Sequence, residues 1–318
     1  MKCIKMLSIA VALCGITMIS LAQTLQEVTE AYNKGAELMA AGNLDGAIAE
    51  LEKCVELAKQ VGEEAEDLQI IAESAVPGLY LQIATKLNQS RDYPATLEAL
   101  KATVEAAEKY DNADIRERAE KIIPTVYYAM GVADFQAQKF NEAIQNLEQV
   151  IALDPGNAGA YFVMGACYQS LKDEPKMDES YRLAIEKGTA SGDASNAQKA
   201  KSQLTRFYLN AGITAQRAKK WDEAIAAFSK TVEVDNANAD AFYSLLVCYV
   251  EKKSWDDALA LEEKVLELKS GDGAFYYLGS AYAGKKDNGK ACEYFKKIGE
   301  GNFLAGAKYQ IETALKCK

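Results

Sequence analysis

No histidine occurs anywhere in the 318 residues. That removes the commonest general base and the commonest metal ligand, and with them any Ser-His or Cys-His nucleophile. The chain also has no glycine-rich phosphate loop and no dinucleotide fingerprint. Acidic runs such as Glu63-Glu64-Ala65-Glu66-Asp67 lack the Asp-x-Asp-x-Asp-Gly spacing of a calcium loop, so they read as solvated helix faces. No catalytic residue, metal or cofactor is therefore expected. Basic charge is the scarcer sign, 36 Lys+Arg against 46 Asp+Glu for a net −10, which disfavours nucleic acid and anionic lipid as partners. Any tie to a membrane is expected only through envelope partners. Five prolines and no long Gly/Ser tract argue against linkers, so residues 23–318 are expected to form one continuous domain.

Long apolar runs are missing except at the start. Lys2 and Lys5 precede an apolar stretch over 6–21, and Ser20-Leu21-Ala22 has the small-x-small form of a cleavage site. The run has the length of a signal-peptide core and is short for a spanning helix, a retained anchor being the alternative. Cys14 follows Leu13, not the small residue that precedes a lipidated cysteine. A signal peptide over 1–22, cleavage after Ala22 and a periplasmic or secreted protein are expected.

What is present is repetition. In residues 126–155 Tyr127, Met130 and Gly131, then Phe140, Ala143, Ile144, Leu147 and Val150, fall at helical spacing on either side of a polar turn at Gln138-Lys139. Two antiparallel helices can bury such a stripe where one cannot. The unit resembles a tetratricopeptide repeat (TPR): in a 34-residue frame starting at Pro124, Tyr127 takes slot 4, Gly131 slot 8, Phe140 slot 17, Ala143 slot 20, Leu147 slot 24 and Pro155 slot 32. Asp134 at slot 11 departs from the family's aromatic or leucine. The frame recurs over 28–58, 77–110, 158–188, 205–236, 239–268 and 272–299. Departures are Thr96 and Met177 at slot 20 and Glu262 at slot 24. Residues 302–316 read as a further amphipathic capping helix.

The resemblance implies an all-α, right-handed solenoid of about seven helix pairs plus that cap. Three junctions carry 13 to 15 residues beyond the 34-residue period. Segments 66–76, 112–123 and 193–204 have helical composition, so helix A of the second, third and fifth repeats is expected to be long or kinked. Cys54, Cys167, Cys248 and Cys292 occupy small or apolar slots and are expected in the core, with Cys317 exposed and free to pair between chains. An odd number of cysteines in 23–318 argues against a disulfide framework.

Family resemblance also implies a surface. Slot 5 of helix A faces the concave groove that holds partner segments, and here it carries Tyr32, Leu81, Tyr128, Phe162, Leu209, Tyr243 and Tyr276. The Lys, Asn and Arg with which the family clamps a carboxylate end are missing. The expected function is an exported scaffold binding protein or peptide segments in this groove, in the assembly of envelope complexes. A carbohydrate or small-solute binder using the same tyrosine-lined groove is the alternative, and the rings packing partly into the core is the plainer reading.

Overall fold

The computed structural model describes residues 24–318. The signal-peptide expectation for 1–22 lies outside them. Among the described residues no helix is long and apolar enough to cross a membrane. They divide into two compact units, one ending at Pro155 and the other spanning Gly156–Lys318.

The first unit holds α1 (24–40) with α2 (Leu44–Val61), α3 (Glu66–Gln89) with α4 (Tyr93–Lys109), and α5 (Ala113–Gln136) with α6 (Phe140–Leu153). The second holds α7 (Ala158–Leu171) with α8 (Glu174–Ser191), α9 (Ala194–Arg217) with α10 (Trp221–Val234), and α11 (Ala239–Glu251) with the broken helix α12 (Trp255–Ala260) and α13 (Glu262–Lys269). The last pair is α14 (Asp272–Gly284) with α15 (Asn288–Lys296), followed by α16 (Leu304–Tyr309). Each unit is thus a stack of antiparallel helix pairs, as the repeat frame requires.

The two helices of a pair meet at slots 8 and 24. A Cβ added to Gly131 would lie 2.8 Å from Cγ of Leu147, and one added to Gly212 would lie 2.5 Å from the Phe228 ring. Gly35, Gly165 and Gly279 face Leu51, Tyr181 and Phe295 in the same way. The missing side chain at slot 8 is the space into which the large residue at slot 24 packs.

Where slot 8 is itself large, slot 24 changes. Leu246 fills the crossing of the sixth pair, and Glu262 stands where a large apolar residue is expected. The Glu262 carboxylate accepts from the Tyr282 and Tyr294 hydroxyls, whose rings stack 5.8 Å apart. The helix breaks one residue earlier, at Leu261.

Every turn from helix A to helix B has one geometry. Slot 15 is left-handed in all seven pairs, at Gly42, Arg91, Gln138, Lys172, Lys219, Lys253 and Lys286. The following N–H then reaches back to the carbonyl at slot 11, as Lys139 does to Asp134 at 2.9 Å. This satisfies a carbonyl that the helix end leaves open. The next helix is capped by the side chain of Asn43, Asp92, Asp173 or Asp287.

The long-helix expectation holds. Helices α3, α5 and α9 have 24 residues each, against 13 or 14 for α7, α11 and α14. Pro77 and Pro124 lie inside α3 and α5. The preceding B helices are longer too, at 17 or 18 residues against 14 for α6 and α10. Each extension therefore packs on a partner that lengthens with it.

The expected terminal helix is present as α16 continuing directly into a π-helical stretch over Gln310–Ala314. The cysteines beside it differ from expectation. Past the helix end Lys316 is left-handed, and the Cys317 N–H bonds the Ile311 carbonyl at 2.8 Å. Cys292 and Cys317, 25 residues apart, come within 5.7 Å between Cα atoms and form a disulfide. Cys292 is thus not an alanine substitute in the core, and Cys317 pairs within the chain. Cys54, Cys167 and Cys248 are buried and free, as expected. Burial raises all three thiols, those of Cys167 and Cys248 to about 11, which leaves them unreactive at neutral pH.

Candidate functional site

The slot-5 residues do not share one environment. In the first unit Leu81 is only 6% exposed, in one cluster with Leu97 and Leu100 of α4 and Ala119 and Val126 of α5. It belongs to the core and offers no groove surface. Tyr32 and Tyr128 are half-buried, Tyr32 against the cluster around Val28 and Leu51.

In the second unit Phe162, Leu209, Tyr243 and Tyr276 are all half-buried. Phe162 packs on Tyr181, ring centroids 5.8 Å apart, and opens on its other side into a cleft of about 520 Å³ with Lys199 and Ser202 of α9. Leu209 lines a second cleft of about 340 Å³ with Ser202, Arg206 and the Lys201–Asp235 pair, N to O 3.1 Å. Gln198 and Ser202 belong to both clefts, so two successive slot-5 residues open on either side of the α9 extension. Tyr243 and Tyr276 are committed elsewhere. Tyr277 sits edge-on to both rings at 6.0 and 5.6 Å, and Phe303 lies 5.2 Å from Tyr276. The C-terminal segment thus takes up the end of the row.

A larger cleft escaped the slot-5 pattern. About 570 Å³ opens between α7 and the second half of α9, with Gln169, Arg206, Phe207, Asn210, Ala211 and Thr214 among its walls. Its cause is a single slot. Slot 7 carries Lys34, Ile83, Met130, Met164, Leu245 and Leu278 in the other six repeats, but Ala211 in the fifth. Where the others put a large side chain, Ala211 leaves its methyl exposed and Phe207 to line the wall. The signal was readable as a departure from the frame. On the far wall Lys220 is neutralised by Glu223 at 3.0 Å.

Two buried tyrosines stiffen the wall behind these clefts. Tyr181 donates to Gln169 at 3.1 Å, and burial pushes its phenol up to about 12. Tyr208 donates to Asp178 at 2.8 Å, and burial followed by that bond raises its phenol as well. Among the described residues no group of His, Cys, Asp or Glu is placed to hold a metal ion.

Paired helices stacked on a repeated glycine crossing define a helical-repeat protein. Three segments match family models for this architecture: residues 31–61 and 209–273 as tetratricopeptide repeat, and 131–172 as TPR repeat. The chain belongs to the tetratricopeptide-repeat family. A curated relative, the Hsp70-Hsp90 organizing protein of Triticum aestivum, is 21% identical over 236 residues. That match takes in 70% of this chain but only 38% of the relative. Among solved structures, MamA is 24% identical, covering 62% of this chain and 97% of its own at a TM-score of 0.30. YrrB, described as a TPR protein with an unusual peptide-binding site, is 20% identical, with coverages of 57% and 87% and a TM-score of 0.29. A tetratricopeptide repeat protein from Parabacteroides merdae is 13% identical, with coverages of 88% and 96% and a TM-score of 0.28.

Proposed function

We propose that the chain is an exported scaffold that holds an extended segment of a partner protein in the assembly of envelope complexes. The observation that carries the binding reading is the pair of clefts at Phe162 and Leu209, two successive slot-5 positions that stay half-open. Half-buried apolar groups flanked by polar side chains suit an extended chain: the apolar parts contribute affinity and the rim fixes register. The relative's name describes an organizer of Hsp70 and Hsp90, which is consistent with scaffolding as a class of activity. Export has two independent supports, the leader pattern over 1–22 and the Cys292–Cys317 disulfide, a bond that persists in oxidising compartments.

The test is capture of envelope proteins by the immobilised full chain, with and without Phe162→Ala plus Leu209→Ala. Loss of specific capture at an unchanged circular-dichroism spectrum is expected. Capture that survives in the double variant places the binding elsewhere. Export is checked by mass spectrometry of the native protein, which should begin at Gln23. An intact Met1 or a lipid on Cys14 overturns it.

A further inference from the structure

In an acidic chain one helix stands apart. The charged residues of α9 are Lys199, Lys201, Arg206 and Arg217, with no carboxylate among its 24 residues. Its neighbour α7 carries no charged residue. Lys199, Arg206 and Arg217 fall within a narrow arc of the helix wheel, and all three are exposed. None of them is paired with a carboxylate among the described residues, whereas Lys201 is held by Asp235 and Lys220 by Glu223. Asp193, the acid beside Lys199, is engaged as the α9 cap and bonds Asn196.

The same face borders the clefts. Lys199 stands with Phe162 in one, and Arg206 lies at the rim of the cleft that Ala211 opens. Lys199 and Arg206 are separated by about 10 Å of helix, and Phe162 and Gln169 on α7 by the same distance. The α7–α9 groove therefore offers apolar floor and uncompensated positive charge side by side along its length.

We propose that this groove takes an extended acidic segment of a partner protein, its carboxylates against Lys199, Arg206 and Arg217 and one apolar side chain entering the cleft at Ala211. The proposal rests on the scaffold reading and names the chemistry of the partner segment. Charge complementarity selects the segment, because most of the chain surface repels it and this helix attracts it. The Ala211 cleft adds a demand that a bare polyanion does not meet.

The test is fluorescence anisotropy with the full chain and four probes. They are a labelled Glu/Ser peptide with one central leucine, the same peptide with serine for leucine, a Lys/Ser counterpart, and heparin as competitor. The leucine peptide is expected to bind in a salt-sensitive manner and the lysine peptide not at all. Lys199→Glu, Arg206→Glu and Arg217→Glu together should weaken it at least about tenfold, while Lys253→Glu leaves it unchanged. Ala211→Leu should fill the cleft, keep the melting midpoint, and lower affinity about tenfold, to the level of the serine peptide on the unaltered chain. The serine peptide tests the cleft even where the leucine variant folds poorly. The proposal is overturned if both acidic peptides bind equally, if charge reversal changes nothing, or if heparin competes and the site proves indifferent to Ala211→Leu. Envelope capture that needs Phe162 and Leu209 but survives charge reversal would retain the scaffold reading and discard this one.

Discussion

Helices α5 and α9 have the same length and the same place in their repeats, yet they present opposite surfaces. Both are 24 residues long and begin with an extension that packs on the preceding helix. Ala119 in α5 and Ala200 in α9 are fully buried, each five residues before the repeat frame begins, and Ala72 in α3 does the same. Outside that contact the two diverge. The α5 extension alternates charge and carries ion pairs from Asp114 to Arg118, Glu117 to Lys121 and Arg116 to Glu120. The α9 extension carries only cations. Geometry is thus held by one small residue facing the neighbouring helix, and the solvent face is left free to take on a partner's chemistry.

The comparison breaks first at the glycine crossings. Gly131→Leu and Gly212→Leu each drive a side chain into Leu147 or Phe228 and should cost about 3 kcal/mol, read from denaturant midpoints. Equal costs are expected. A much cheaper substitution in either helix would mean that its crossing is not a shared device. Next come the extensions, where Ala119→Leu and Ala200→Leu should each cost about 1–2 kcal/mol by overpacking the contact. If one proves neutral, its extension is held by something other than that alanine.

Alkaline pH separates the helices further. Behind α9, Tyr181 stays protonated in the folded state up to about 12 while an unfolded tyrosine ionises near 10. Tyr208 is raised in the same direction. A raised folded pKa means that the native state binds the proton more tightly. The stabilisation is full below pH 10 and is lost as pH rises toward about 12. The tyrosinate absorbance that Tyr181→Phe plus Tyr208→Phe removes, read as a difference from the unaltered chain, should therefore rise together with loss of helicity. Tyrosinate forming well before helicity falls would show that these rings are open to solvent. The smallest effect is expected from Glu117→Gln plus Lys121→Gln, which should leave the melting midpoint unchanged within error, because the pair is exposed and screened.

Much of this was legible in the sequence because helix pairing depends on residue size at fixed spacing. Glycine or alanine at slots 8 and 20 and a large residue at slot 24 are steric requirements, and the long helices followed from extra residues without glycine. What stayed hidden depends on contacts that spacing does not encode. Cys292 and Cys317 meet only once the terminal helix is packed on α15. Leu81 is buried by a later helix, through Ala119 and Val126, as well as by its own repeat. Glu262 looks like a defect until Tyr282 and Tyr294 are brought to it. The cleft at Ala211 was visible only as a missing side chain, and a missing side chain marks a cavity only once the neighbouring helix is in place.

The left-handed residue at slot 15 has a practical consequence. Six of its seven occurrences are residues other than glycine, held there by the two packed helices they join. No added length is accommodated at any of these turns, and all the extra residues lie at the opposite ends, around Gly62, Asp111 and Gly192. Those three sites are where a protease site, an epitope tag or a fluorescent domain can be inserted while the repeats stay in register. The same insert placed between Gln138 and Lys139 would part α5 from α6.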